Sequence, residues 1–347
     1  SRPLRARRGV HHKISETVRS VDLAVANFSL SPDGKTGVMG DWQGHISLWD
    51  YETGQIKKQL HGHRDMIFAG VLFDPSGTQI ISGSGNIFAH SQDNTVRLWD
   101  IATGQETHQF QGHRQHLWDI AIHPNGELAA SASHDGTLRL WDLKRREGRI
   151  LADFSPQAPR SIQFTPDGTA LLVGLPKASS AQPNYDLHLI DVDSGETIRH
   201  FVGHQEVVGT LIISSDGRLA VSGSADQLVI VWDMHTGQAV HRLADHTGHV
   251  LCVALSPNNK LIAAGSRGGT TIIWDVESGE QVRRFQNGGS SIMNLAFTNN
   301  QTLLTALAEE GIVEWRIDRD QTALLEWVKK NRYLPDLTPE QRAYYHL

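Results

Sequence analysis

Short stretches of alternating apolar and polar residues recur along the whole chain, each bounded by a turn signal. Val250-Leu251-Cys252-Val253-Ala254-Leu255 is one such run, and its two-residue alternation predicts a β-strand. Turns such as Ser31-Pro32-Asp33-Gly34, Asp74-Pro75-Ser76-Gly77, His123-Pro124-Asn125-Gly126 and Thr165-Pro166-Asp167-Gly168 follow these runs. In them Pro pre-sets a turn dihedral and Gly accepts positive φ, which predicts hairpins. A second strand of small residues comes next, as in Leu219-Ala220-Val221-Ser222-Gly223-Ser224. The third strand ends in a large apolar residue and an acid, and another hairpin turn, such as Glu52-Thr53-Gly54-Gln55 or His235-Thr236-Gly237-Gln238, leads to a fourth. The local unit is a meander of four antiparallel strands.

That unit repeats. Its third strand closes as Leu48-Trp49-Asp50, Leu98-Trp99-Asp100, Leu140-Trp141-Asp142, Leu189-Ile190-Asp191, Val231-Trp232-Asp233 and Ile273-Trp274-Asp275, with Glu314-Trp315-Arg316 as a worn seventh. From Trp to Trp, with Ile190 standing in the fourth, the steps are 50, 42, 49, 42, 42 and 41 residues. A period of roughly 40 to 45 residues is that of a four-stranded propeller blade. One blade cannot bury both of its faces, so the repeats must stack around a ring.

Three repeats carry a fuller set of markers: Gly62-His63, Gly112-His113 and Gly203-His204 at their starts, with Asp245-His246 as a variant. On these motifs the chain resembles the WD-repeat β-propeller family. The resemblance implies a buried hydrogen-bonded set in each complete repeat: His63, Ser82, Asp93 and Trp99; His113, Ser131, Asp135 and Trp141; His204, Ser222, Asp226 and Trp232. The chemistry is consistent, because a buried Asp and His are costly without partners and the hydroxyl and indole N–H supply them. Elsewhere the turn Asp is replaced by Gln43, Asn184, Gly268 and Glu309, and those blades are expected to lean on apolar packing.

The expected fold is all-β, a seven-bladed propeller over residues 9–318. Only three strands of the seventh repeat are present before the pattern turns helical, and the alternating segment Val10 to Glu16 is expected to close the ring, with residues 9–16 as the missing strand. Covering that edge removes a site for unwanted pairing. Residues 1–8, Ser-Arg-Pro-Leu-Arg-Ala-Arg-Arg, read as the end of a basic linker, and the absence of an initial Met suggests a piece of a longer protein. Residues 319–347 read as a helical tail packed on the propeller: Leu324, Leu325 and Val328 at helical spacing, Trp327 and Trp315 as pins, and Thr338-Pro339-Glu340-Gln341 as a capping box. The pattern Trp327, Asn331-Arg332-Tyr333, Leu337-Thr338 and Tyr345 resembles the tail of bacterial multidomain WD-repeat proteins. Some of those carry a signal-transduction ATPase of the apoptosome-like class ahead of the propeller.

Composition then narrows the setting. The formal charge of −6 gives no global attraction to nucleic acid or anionic membranes, so neither is expected as a partner. One cysteine, Cys252, rules out an intrachain disulfide framework and suits a cytoplasmic protein. No apolar run approaches a membrane span and no signal peptide is visible.

Candidate chemistry is sparse. Nineteen His residues invite a metal, yet His63, His113, His204 and His246 belong to the repeat and the rest lack the spacing of a zinc or iron site. There is no Gly-x-Ser-x-Gly elbow and no phosphate-binding loop before a helix, so no cofactor is expected and any ATPase would lie upstream. Glu309-Glu310 reads as a solvated turn rather than an acid/base dyad. Three classes of function remain: an interaction module, acting as sensor or scaffold; a propeller enzyme, which would converge acids or His on the channel mouth; and a structural spacer, which would have uniform loops.

The loops are not uniform. From Ser82 to Asp93 is eleven residues, where the third and fifth repeats use four, so Gly85 to Ser91 is an insertion; Pro176 to Tyr185 bulges at the equivalent place. Loops on a rigid scaffold collect binding residues. Aligned positions after the Gly-His loops hold Met66, Phe68, His116, Trp118, Arg160, Leu251 and Met293, with Phe88 in the insertion and His134 before the turn Asp. Trp, Phe, Met and Arg are enriched at interfaces, whereas a merely solvated face carries Lys, Glu and Ser. The bland alternative is that several of them plug the channel mouth. The interface reading makes this face, around blades two to four, the docking site for a protein or peptide, with Trp118 and Phe68 as anchors and Arg160 as the polar contact.

Overall fold

The computed structural model describes residues 25–88, 91–176, 187–308 and 311–317. The expected closing strand at 9–16, the tail at 319–347, most of the second insertion, Asn184 and Glu309-Glu310 lie outside these residues. The described chain is an all-β, seven-bladed propeller: six four-stranded antiparallel sheets and, for blade seven, a three-stranded one. Strands in each blade follow chain order, from an inner strand at the channel to an outer one. The inner strands are Val25–Leu30, Gly70–Phe73, Leu117–Ile122, Ser161–Phe164, Val208–Ile213, Val250–Leu255 and Ile292–Asn299. Among the described residues no helix is long and apolar enough to cross a membrane.

The hydrophobic core is divided among the blade interfaces, one cluster to each. Blades four and five enclose Leu172, Leu187, Phe201, Ile230 and Trp232, and blades five and six enclose Val221, Val231, Ile262 and Trp274. Phe28, Met39 and Trp49 of blade one pack on Leu304, Ala306 and Ile312 of blade seven, so the ring closes through side chains of the described residues. Each such side chain contributes about 1.5–3 kcal/mol when fully buried. Because every cluster draws on two blades, no blade is expected to hold its structure alone.

Polar ties join neighbouring inner strands around the channel. Asp119 accepts the backbone N–H of Ile120 on its own strand and of Ile162 on the next blade, at 2.9 and 2.8 Å. Gln163 accepts the Ile213 N–H at 2.8 Å. Asn294 of blade seven donates to the Asn27 side chain and the Phe28 carbonyl of blade one, at 2.8 and 3.0 Å. Burial pushes the Asp119 carboxyl up to about 7, with the two backbone bonds acting against it.

Candidate functional site at the channel mouth

The three complete repeats place their markers in nearly identical geometry. His63 Nδ1 lies 2.9 Å from Asp93 and its Nε2 2.7 Å from Ser82, whose hydroxyl accepts the Trp99 indole N–H at 2.8 Å. The corresponding distances are 3.0, 2.7 and 2.8 Å around His113, and 2.9, 2.8 and 2.7 Å around His204. With the serine oxygen accepting from Trp, its proton goes to Nε2, and Nδ1–H is left to donate to the Asp. That assignment requires a neutral imidazole, and burial lowers the pKa of His63 and His113 in the same sense.

These sets tie the loop before each inner strand to the turn between the second and third strands, so both kinds of loop rise from one face. The blade-two insertion is stitched down on that face: Gly85 N donates to the Met66 carbonyl at 3.2 Å, and Ser91 Oγ to Asp65 at 2.8 Å. A Cβ on Gly85 would come within 2.6 Å of the His116 Cα, which makes glycine a steric requirement there.

Rings gather where this face meets the channel. Arg160 sits over Trp118, its Cζ 3.5 Å from the ring centroid. Phe68 meets Trp118 edge-on at 5.8 Å, Trp42 lies 6.2 Å from Phe68, and Phe88 lies 6.4 Å from Trp42. Behind Trp118, His116 and His134 stack at 4.7 Å with ring planes 13° apart. The Trp118 indole donates to His134 Nδ1 at 3.4 Å, so a neutral His134 carries its proton on Nε2. Burial, then the charge tendencies of His134 and Arg160, lower His116 to about 4, and burial alone brings Arg160 down to about 10. Burial, then Arg160, also lower His134, so both imidazoles are neutral at pH 7 and Arg160 is charged. The channel beyond encloses about 910 Å³ and is lined from all seven inner strands.

Residues 54–100, 104–142, 195–233 and 237–275 each match the model of the WD domain, G-beta repeat. The chain is a seven-bladed β-propeller that carries WD40 repeats. It is similar to the guanine nucleotide-binding protein subunit beta-5b of Danio rerio, 35% identical over 194 residues, which are 54% of this chain and 45% of that protein. Protein groucho of Drosophila melanogaster is 28% identical over 223 residues, 61% of this chain and 27% of groucho. The chain thus spans less than half the length of either curated relative. The β-propeller domain of Cps50 (Swd1) from Myceliophteria thermophila superposes with a TM-score of 0.73 at 19% identity, covering 85% of this chain and 97% of that one, a likeness of fold. All three are eukaryotic proteins, and none connects the WD40 propeller to a bacterial ATPase.

The propeller distributes the nine candidate interface residues unevenly. Phe68, Trp118 and Arg160 come together at the mouth, half-buried, with His116 and His134 behind them. Phe88 is 76% exposed at the outer end of the strip. Met66 does not belong on a docking surface: it is 7% exposed, its side chain turned into the core. Leu251 and Met293 line the channel from blades six and seven, away from the cluster. Trp42 joins the strip without having been singled out in the sequence. Its only local signal was an aromatic residue in the Asp41-Trp42-Gln43-Gly44 turn of a repeat with incomplete markers.

Two of the blades with incomplete markers, six and seven, correct the expectation that they lean on apolar packing. In blade seven Thr305 takes the serine's place and accepts the Trp315 indole at 2.9 Å. In blade six the Trp274 indole goes instead to Asp245, at 3.1 Å. Blades one and four follow the apolar expectation: the Trp49 indole is buried without a partner, and in blade four Ile190 and Val173 stand at the Trp and Ser positions in an apolar cluster.

Proposed function

We propose that this propeller is a non-catalytic interaction module that docks a protein or peptide on the face around blades two to four. The observation that carries the reading is the strip Phe88, Trp42, Phe68 and Trp118, ended by Arg160 and held on a closed ring. Large aromatic side chains bring contact area at low entropic cost, and Trp and Arg are among the residue types most enriched at binding hot spots. Against a propeller enzyme, the half-buried Asp119 in the channel is already engaged by two backbone amides. Against a spacer, the insertion adds an exposed aromatic where a solvated face needs none.

Two finer parts belong to the same proposal: an upstream signalling module in the same polypeptide, supported by the sequence of residues 327–345, and a cytoplasmic setting, supported by the single cysteine. The eukaryotic relatives lend the bacterial assignment no support.

The test is a selection of short random peptides displayed on phage against the full chain, followed by affinity measurement on the wild type and on the double variant F68A/W118A. Truncating both anchors is expected to weaken the selected peptides by at least about tenfold. A folded double variant that keeps full affinity overturns the reading.

A further inference from the structure

We propose that the mouth of the channel recognises a carboxylate, the side chain of an Asp or Glu in an extended partner segment, through Arg160. This rests on the docking reading above and names the chemistry of the occupant. The guanidinium lies flat on Trp118, which engages its π-face and leaves the N–H edge free to make a forked pair of hydrogen bonds. Among the described residues that edge meets no carboxylate, and Arg160 Nε is buried without a hydrogen-bond partner. The nearby acid in the channel, Asp119, is spent on the Ile120 and Ile162 amides.

A cation partly removed from water without a counter-charge is unfavourable, and an incoming anion relieves it. Next to it, His116 Nε2 is also buried and unpartnered. The site offers one formal positive charge, since both imidazoles are held neutral. One charge matches a carboxylate, whereas a phosphate dianion calls for several basic groups.

The aromatic strip supplies the rest of the occupant. Its rings step by 6.2 and 5.8 Å toward Arg160, close to the roughly 6.6 Å between alternate side chains of an extended strand. An extended segment with large apolar side chains at alternate positions, leading to an acid, fits both features.

The peptides selected on the wild-type chain, made with amidated C-termini, provide the probe. They are expected to be enriched in Asp or Glu beside aromatic or aliphatic residues, and the same library panned on a folded R160Q variant is expected to lose that enrichment. Changing the peptide acid to its amide should cost at least about tenfold on the wild type and under about twofold on R160Q, because the interaction is already gone there. R160K, which keeps the charge but not the planar fork, should fall between them. Peptides that depend on Phe68 and Trp118 but tolerate loss of the acid on the wild type overturn the carboxylate assignment and leave the docking reading standing. Peptides indifferent to F68A/W118A overturn the docking reading itself. A phosphoserine version binding more than about tenfold tighter than the acid also overturns the assignment, in favour of phosphate.

Discussion

Asp93→Ala is expected to lower the unfolding free energy by about 3–5 kcal/mol, against about 1–3 kcal/mol for Asp135→Ala and Asp226→Ala. The three acids occupy the same position in their blades, so the difference has to come from what surrounds them. Each accepts from its His and from the backbone amide that follows it: Arg64 N at 2.9 Å, Arg114 N at 2.8 Å and Gln205 N at 2.8 Å. Asp93 alone also holds an arginine, Arg97, at 3.0 Å, and Arg97 is only 7% exposed. Removing the carboxylate there strands a buried cation as well as His63. Glu106, 2.7 Å from the other end of the guanidinium, is partly solvated and offsets little of that loss. In blade three the matching Arg139 lies 5.6 Å from the Trp141 ring centroid and makes no ion pair with Asp135. Urea denaturation of the three variants reads the difference. Equal losses for Asp93→Ala and Asp135→Ala would show that the arginine contributes nothing.

The polar sets were legible in the sequence because a buried His–Asp–Ser–Trp constellation needs all four residue types at fixed spacing, and the period showed where to look. The strip was only half legible. Phe68 and Trp118 stand at equivalent repeat positions and could be aligned, but the position of Arg160 over Trp118 joins two blades across 42 residues, and no local pattern encodes that. Met66 failed for a related reason. It stands at the position of His116, and both carbonyls accept the same backbone bond, from Gly85 and His134, yet Met66 is buried and His116 half-buried, a difference that the shared pattern does not carry. Repeat logic predicts what the blades share; the insertions and the blade-to-blade contacts, where binding surfaces arise, are what they do not share. The same logic misjudged blade six, where Asp245 looked like a worn glycine marker but took over the indole bond.

Restoring the lost set in blade six with the double variant A264S/G268D is expected to stabilise the propeller by about 1–3 kcal/mol. His246 is 4% exposed and neither ring nitrogen has a partner. Ala264 pairs with Ile272 in the register that Ser222 keeps with Ile230, and Gly268 follows it by the four residues that separate Ser222 from Asp226. The two changes would thus set a hydroxyl at Nε2 and a carboxylate at Nδ1, as in blades two, three and five. Gly268 tolerates the addition: a Cβ there meets only Ser266 Oγ at 3.8 Å and Thr247 Oγ1 at 3.9 Å. Replacing glycine also removes freedom from the unfolded chain, which acts in the same direction. The effect depends on pH with a definite sign. Burial first, then Arg284, lower His246 to about 4 in the folded chain, against 6.5 for the free side chain. The unfolded state therefore binds the proton first, and this residue costs stability as pH falls from about 6.5 toward 4. A carboxylate beside Nδ1 raises the folded pKa and narrows that gap, so the gain over wild type should be larger at pH 5 than at pH 8. Urea midpoints at the two pH values decide it: a double variant no more stable than wild type at either would mean that His246 does not lack what the other three histidines have.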